Sequence, residues 1–201
     1  MSLRTQAALR RSATVSVAAA ALLALTACVE APNAPQLTGT PTSTPTASAA
    51  PTTAPELDAD ALPLDLACDE LVDLDAVYQF NPNLALLGPY SPADGSPAAA
   101  ALAAGGVACR WVLESGGAGM DLSVARLPED RIRELKNEAF TTSEMVPTYG
   151  DEAYFEVEGG FGTAIVFERD IWLVITSEMF AEPGEPTGIV ESALASAAAA
   201  G

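Results

Sequence analysis

The sequence contains no histidine, and only nine of its 201 residues are lysine or arginine. Without histidine there is no histidine-dependent catalytic triad, no histidine-ligated zinc site and no histidine-based pH switch. Acidic residues number 27, which leaves a formal charge of −18 at pH 7. Because phosphate binding requires clustered lysine and arginine, this balance argues against nucleic acid as a partner.

Three of the scarce basic residues lie at the N-terminus, where Arg4, Arg10 and Arg11 form a positively charged segment. An apolar stretch follows from Val15 to Leu25, shorter than the roughly 20 residues that span a bilayer. This order predicts a secretory signal peptide over residues 1–27. The Arg10-Arg11 pair leaves twin-arginine export open, but Ser12-Ala13 replaces the apolar residues expected after the pair and favours the general secretory route.

The apolar stretch ends in Leu25-Thr26-Ala27-Cys28, which resembles the bacterial lipobox. The resemblance implies that Cys28 receives the lipid and becomes the new N-terminus; the alternative is an ordinary signal peptide with an incidental cysteine. Each buried methylene contributes about 0.8 kcal/mol, so two or more acyl chains give lasting attachment. We therefore expect a protein anchored to the cell membrane, on its extracytoplasmic face, that does not cross it.

Residues 28–56 carry the lipidated cysteine and a low-complexity tether. Between Ala31 and Pro55 the chain consists mainly of proline, threonine, serine and alanine, with no charge and one large aliphatic residue, Leu37. Such a segment buries too little apolar surface to offset its ordering entropy. It predicts a disordered spacer with extended proline-rich stretches, whose threonines are also candidate sugar acceptors.

Residues 57–201 have the length of one globular domain. Two cysteines remain there, Cys68 and Cys109, and an isolated pair in an oxidising exported compartment predicts a disulfide. Their spacing is not that of a redox Cys-x-x-Cys motif. Closing a loop of about 42 residues stabilises the folded state by roughly 4 kcal/mol in the chain-entropy model.

Apolar periodicity in this domain predicts an α+β fold, an antiparallel sheet of about five strands with helices packed on it and one disulfide. We expect a helix after Cys68, a loop over Asn81–Pro97, an alanine helix over Ala98–Ala104 and a helix opening at Pro128. Ile171–Ile175 is apolar at every position, which indicates a central strand covered on both faces. The remaining strands and a C-terminal helix are centred on the following apolar sets: Val107, Cys109, Trp111; Met120, Leu122, Val124; Ala153, Phe155, Val157; Thr163–Glu168; Ile189, Val190, Ala193, Leu194, Ala197.

Three motifs accompany the lipobox and tether: Cys68-Asp69-x-Leu71, Gly106-x-x-Cys109-x-Trp111 and Tyr149-Gly150-Asp151-Glu152-Ala153-Tyr154. Together they resemble small actinobacterial cell-envelope lipoproteins of unknown function, which have a cysteine pair with Cys-x-Trp and a later Gly-Asp-x-Ala motif. The resemblance covers most of residues 66–180. Its motifs imply structural roles for these residues and include no set of catalytic residues.

The sequence contains no motif that supports metal binding or catalysis. The acidic stretch from Asp58 to Asp75 fails as a calcium loop because Leu62 and Pro63 stand where an oxygen ligand and a glycine are required. The two glycine-rich segments, 116–119 and 159–162, are typical of hairpin turns. There is no Gly-x-Ser-x-Gly elbow and no Ser-x-x-Lys, and a paired-carboxylate hydrolase remains only a weak alternative. We expect no catalytic residue, metal or cofactor.

Four side chains on the expected strands are candidates for a ligand groove: Arg110, Trp111, Tyr154 and Trp172. The alternative is that the aromatic ones only pack against helices. Our first hypothesis is a non-enzymatic module that binds an envelope protein or a small ligand; the second is a structural or assembly lipoprotein that contacts envelope proteins or cell-wall polymer. A pocket beside Trp111 or Trp172 favours the first, and a flat exposed apolar patch favours the second.

Overall fold

The computed structural model describes residues 58–201, so the signal peptide (1–27), Cys28 and the tether (28–56) lie outside the described residues. The described part contains twelve elements in the following order along the chain: α1 (Cys68–Leu71), α2 (Leu74–Phe80), β1 (Leu84–Pro89), α3 (Pro97–Ala103), β2 (Val107–Leu113), β3 (Gly119–Arg126), α4 (Glu129–Thr142), β4 (Glu144–Val146), β5 (Glu152–Glu158), β6 (Phe161–Glu168), β7 (Ile171–Ser177) and α5 (Thr187–Ala199).

The seven strands form one antiparallel sheet in the order β1-β2-β3-β7-β6-β5-β4. The α+β class and the antiparallel sheet are confirmed, but the expected number of about five strands is wrong. Both additional strands, β1 and β4, lie at the edges. β1 occupies the proline-containing segment that we expected to be a loop; it carries an irregularity between Leu86 and Gly88 and ends at Pro89, features that edge strands tolerate. β4 has only three residues, too few for an alternating pattern to be recognised.

The prediction of a central strand covered on both faces is confirmed by β7, the fourth of the seven strands. Its side chains alternate between two cores. Ile171, Leu173 and Ile175 lie in the core beneath α1, α2 and α5, whereas Trp172 and Val174 lie in the core beneath α3 and α4. The unbroken apolar run is thus the sequence signature of a strand whose side chains are largely buried on both faces.

The disulfide is confirmed: the sulfurs of Cys68 and Cys109 are 2.02 Å apart and the Cα atoms 5.6 Å. It fastens the start of α1 to the inner face of β2. The single helix expected after Cys68 is instead two helices, interrupted at Val72, which has extended backbone angles and a buried side chain. The backbone N–H of Asp73 then donates to Ser192 Oγ of α5 at 2.9 Å, which ties the interruption to the helix packed beside it.

Candidate functional site

A groove runs between α3 and α4 because the sheet holds these two helices too far apart to pack closely against each other. α3 lies over β2 and β3, and α4 lies over β5 and β6 on the same face. In the strand order these pairs are centred three strand spacings apart, about 14 Å. Packed helices approach to about 8–10 Å. The face of β7 between them therefore becomes the floor of what we call the α3–α4 groove.

The composition of α3 keeps the groove open. The helix reads Pro-Ala-Ala-Ala-Ala-Leu-Ala from residue 97, begins at Ser96, whose Oγ accepts from the Ala99 N–H at 3.2 Å, and is followed by Gly105 with φ +81°. Ala98 and Ala101 are buried against the sheet. The exposed Ala100 faces the groove, opposite Leu135 of α4. A methyl group at this position cannot bridge the gap to α4.

The groove consists of two adjoining cavities of about 470 Å³ and 370 Å³ that share Ala100, Arg131, Leu135 and Trp172. Volumes of this order are those of ligand-binding clefts. Trp172 lies at the overlap, so it forms the middle of the floor. Ile165 and Val174 continue the floor on one side of it.

Carboxylates line both ends of the groove. What we call the aspartate end carries Asp58, Asp60 and Asp130, near the start of α4. What we call the glutamate end carries Glu138, Glu156 and Glu158, near the end of α4. The lining residues include one basic side chain, Arg131, whose Nη1 is 2.9 Å from Glu134 Oε2. The groove therefore has an apolar middle and an anionic rim at each end.

Trp172 is 5% exposed, and its indole N–H is buried with no hydrogen-bond acceptor among the described residues. Indole nitrogen is a donor only, and a buried donor without an acceptor forfeits the hydrogen bond that it makes with water in the unfolded chain. Most buried polar atoms in native proteins are paired. Unpaired donors are therefore worth explaining, and this one belongs to the residue shared by both cavities.

Arg110 lies beside the groove, on the far side of the α3 N-terminus. Its guanidinium makes two bonds of 2.6 Å to the Asp121 carboxylate on the neighbouring strand and stacks 4.1 Å from the centre of the Tyr90 ring. The hydrogen bond to Asp121 raises the pKa of Arg110, and burial, followed by the charge of Asp121, raises that of Tyr90. These residues line a cavity of about 190 Å³ that shares Ser96, Pro97 and Val174 with the groove. Asp121 and Tyr90 therefore hold the Arg110 side chain in place beside the groove.

Tyr154 is on the same sheet face but lies under α4, only 1% exposed. Its hydroxyl donates to Glu152 Oε1 at 2.6 Å, and Lys136 Nζ of α4 is 2.9 Å from Glu152 Oε2. Burial and the bond to Glu152 raise the pKa of Tyr154 to about 12. Partial burial alone would raise the pKa of Glu152, but the hydrogen bonds from Tyr154 and Lys136 and the Lys136 charge outweigh it and lower the pKa. This network attaches α4 to β5.

Trp111 lies on the opposite face of the sheet, 2% exposed in the core beneath α1, α2 and α5. Arg110 and Trp111 are consecutive on β2, and successive side chains of a strand point to opposite faces. The two cannot line one groove. Of the four side chains proposed from the sequence, Trp172 lies in the α3–α4 groove, Arg110 and Tyr154 lie next to it, and Trp111 is remote from it.

The Gly-Asp-x-Ala motif shapes a turn. Gly150 has φ +64°, and a Cβ added there would lie 2.7 Å from Val166 Cγ1 and 2.8 Å from the Phe167 carbonyl oxygen. Asp151 Oδ2 accepts from the backbone N–H of Arg169, the residue with φ +53° in the β6–β7 turn. Gly150 is required here because of its positive φ and the close approach of β6, and Asp151 because its carboxylate accepts a backbone N–H of the next turn.

The acidic stretch that we considered for calcium is divided between the two sides of the sheet. Asp58 and Asp60 line the groove, whereas Asp73 and Asp75 line a separate cavity between α2 and the start of α5. Within residues 58–201, no three His, Cys, Asp or Glu side chains are grouped so as to hold a metal ion. Over the same residues, no helix has the length and apolar character needed to cross a membrane.

Sequence reasoning missed most of the groove. Apolar periodicity gives no sign that Leu135 lines a groove, and no sequence motif brings the acidic residues of its two ends together. The available signal was a helix made almost wholly of alanine in a domain whose sheet carries tryptophan, together with Glu156 and Glu158 on the polar side of a strand. This pattern points to a groove only once α3 and α4 are known to lie on the same face of the sheet.

Comparison of the chain with protein-family models, with curated proteins and with solved structures finds no match in any of the three.

Proposed function

We propose that this protein is a lipid-anchored, extracytoplasmic lipoprotein whose folded domain is a non-enzymatic binding module of the cell envelope, with the α3–α4 groove as its binding site. The observation that carries the proposal is a concave groove whose apolar floor is centred on Trp172 and whose two ends carry carboxylates. Its volume is that of ligand-binding clefts.

The groove residues favour binding over catalysis. They are aliphatic and aromatic groups, carboxylates and a guanidinium engaged with Glu134. The whole chain has no histidine to serve as a general base. The arrangement is therefore that of recognition by shape and charge.

The alternative, a structural or assembly lipoprotein that docks on envelope proteins or cell-wall polymer, has one observation in its favour. Leu74 and Tyr78 of α2 are 77% and 67% exposed and lie four residues apart, so both are on one side of that helix. Two side chains on a helix of seven residues offer a smaller apolar surface than the groove. The groove is therefore the stronger candidate.

Ala100→Phe tests the binding site, because a phenyl group at this exposed position fills the groove without entering the core. The matched control is Ala99→Phe, on the same helix but outside the groove lining. The protein used is the exported chain, residues 28–201, with Cys28→Ala so that no lipid is attached. We expect this protein and the control to retain the same ligand from an actinobacterial envelope extract and Ala100→Phe to lose it. Equal retention by all three proteins contradicts the proposal.

The lipid anchor is supported by the lipobox and tested by Cys28→Ala in the exported full chain. Without the cysteine there is no acyl attachment, so we expect the protein to move from the membrane fraction to the soluble fraction. Fractionation followed by immunodetection measures this, with Cys68→Ala as a control that removes a different cysteine. Continued membrane association of the Cys28→Ala protein contradicts the anchor.

A further inference from the structure

The two edges of the sheet differ in charge. An edge strand exposes unpaired backbone groups, and native proteins often protect it by keeping it short or by placing charges on it. β4 follows this rule, because it has three residues, one of them Glu144, and its neighbour β5 carries Glu152, Glu156 and Glu158. β1 has six residues, and none of them is charged. The β1 edge therefore lacks the charges that protect the β4 edge.

The chain around β1 is also nearly free of charge. Between Ala76 and Cys109 it has one charged residue, Asp94, although 18% of all residues are charged. This stretch includes β1, the segment that leads to α3, α3 itself and the start of β2, which lie together at one end of the sheet. Leu86 and Leu87 are 37% and 61% exposed there. The β1 end is thus a neutral, partly apolar surface on a chain with a formal charge of −18.

The backbone groups that β1 leaves open follow from its bonds to neighbouring residues. The Asn83 C=O accepts from the Glu114 N–H at 3.0 Å, so Asn83 faces the chain of β2. Backbone direction alternates along an antiparallel strand, and Leu84 and Leu86 therefore turn their N–H and C=O groups away from β2. The Leu84 N–H is bound to the Asn81 carbonyl at 3.1 Å. The Leu86 N–H and the carbonyls of Leu84 and Leu86 remain directed outward from the edge.

These groups are complementary to a second copy of the same strand. In an antiparallel pair with a two-fold axis at Ala85, the Leu86 N–H of each copy faces the Leu84 C=O of the other. The regular part of β1 suffices, because Leu84, Ala85 and Leu86 are in unbroken register with β2 and the irregularity comes after Leu86. Leu86 of each copy then packs beside Leu84 of the other as a cross-strand pair, which buries the exposed leucine.

We propose that β1 is a homodimer interface, in which the β1 strands of two copies of this chain pair antiparallel and join their sheets. Charge favours a second copy as the occupant. Two chains of the same large negative charge repel each other wherever both carry acids, so they meet at least cost at the neutral β1 end. A basic partner gains more from the acidic surfaces elsewhere. This surface is separate from the α3–α4 groove, and the proposal is independent of the proposed binding function.

Sedimentation velocity of the exported chain described above measures the dimer from low micromolar to near-millimolar concentration. We expect a reversible monomer–dimer equilibrium that strengthens severalfold when salt is raised, because salt screens the repulsion between two acidic copies. An attraction between opposite charges would weaken instead. A chain that stays monomeric over the whole range, or a dimer that salt dissociates, overturns the proposal.

Leu86→Asp and Met145→Asp form a matched pair, because each puts one carboxylate on an exposed apolar residue, the first at the β1 edge and the second at the β4 edge. We expect Leu86→Asp to weaken dimerisation at least about tenfold, since pairing would bury an unpaired carboxylate from each copy. Met145→Asp should change it less than about threefold, as a surface substitution outside the interface. Urea unfolding at low concentration checks that both variants are folded. Equal effects of the two substitutions contradict a β1 interface.

Hydrogen exchange at the Leu86 amide reports the strand pairing itself. We expect this exchange to slow at least about tenfold as the chain passes from monomer to dimer, because the N–H gains an acceptor. A dimer in which Leu86 exchange does not change shows that the copies meet elsewhere. A chain that is monomeric alone, and whose Leu86 exchange slows only when a cell-envelope extract is added, shows that another protein pairs with β1. Either result overturns the proposal.

Discussion

Most basic residues in the described part of this domain lie in ion pairs, and three of these pairs join separate parts of the fold. Arg110 links β2 to β3 through Asp121, and Lys136 links α4 to β5 through Glu152. Five of the six basic residues in the described part of the chain are within ion-pair distance of an acid. Most carboxylates are left without a basic partner, which is why the groove rim retains its charge.

Glu152→Gln tests the link between α4 and β5. The folded pKa of Glu152 lies below its ordinary value of 4.5, so the stabilisation is fully present above about pH 4.5 and is lost as the pH falls through the folded value. We expect the variant to be less stable by about 1 kcal/mol at pH 7 and the difference to shrink as the pH falls through the folded pKa of Glu152. Urea unfolding over a series of pH values from 7 downward measures it, with Glu158→Gln as an exposed control. A difference that grows on acidification contradicts the assignment.

At the scale of elements, turns and cross-links set the positions of the strands. Gly159 and Gly160 both have positive φ, at +59° and +88°, as a two-residue hairpin turn requires. Gly150 also has positive φ, but it lies against Val166 and Phe167 of β6. Glycine therefore serves two purposes here, backbone conformation at one turn and close approach at the other.

Gly150→Ala and Gly159→Ala separate these two purposes, since both put alanine at positive φ but only the first brings a Cβ into contact with β6. We expect Gly159→Ala to cost about 1 kcal/mol, the strain of a left-handed alanine. Gly150→Ala should cost at least about 2 to 3 kcal/mol, because the overlap with Val166 and Phe167 adds to that strain. Chemical denaturation gives both values, and equal losses would mean that the Gly150 contact does not constrain the strand.

The Cys68–Cys109 bridge is the corresponding cross-link between α1 and β2. The double variant Cys68→Ala/Cys109→Ala should lose about 4 kcal/mol, because the residues are 41 apart and the bridge removes loop-closure entropy from the unfolded chain. Urea unfolding measures the loss, and reduction of the parent protein should reproduce it. An unchanged unfolding midpoint in either experiment would show that the bridge contributes little stability.

At the scale of the whole molecule, the sequence predicts the elements better than their arrangement. The apolar runs at 107–113 and 171–177 identify β2 and β7, because a strand is recognisable from its local pattern. The cysteine count identifies the disulfide, because two cysteines in the domain can pair in only one way. β1 was missed because Pro82 and Pro89 bracket a strand that is viable only at an edge.

The groove was missed for a different reason. Its walls come from α3 and α4, which are separated by two strands along the chain, and its width follows from which strands each helix covers. Such information appears only after the strand order is known. Trp172 is a candidate from the sequence because it is an aromatic residue on a strand that is predicted to be central; its neighbours Ala100 and Leu135 have no such signature.

The central claim is that a ligand occupies the α3–α4 groove, and the indole N–H resonances of the two tryptophans test it most directly. The measurement adds a cell-envelope extract to the ¹⁵N-labelled chain, residues 28–201 with Cys28→Ala, and repeats the addition with Ala100→Phe. The account predicts that the Trp172 resonance moves as the ligand packs against the groove floor, that Trp111 does not move, and that Ala100→Phe abolishes the change. A Trp172 resonance that stays in place, or that moves equally in Ala100→Phe, contradicts it.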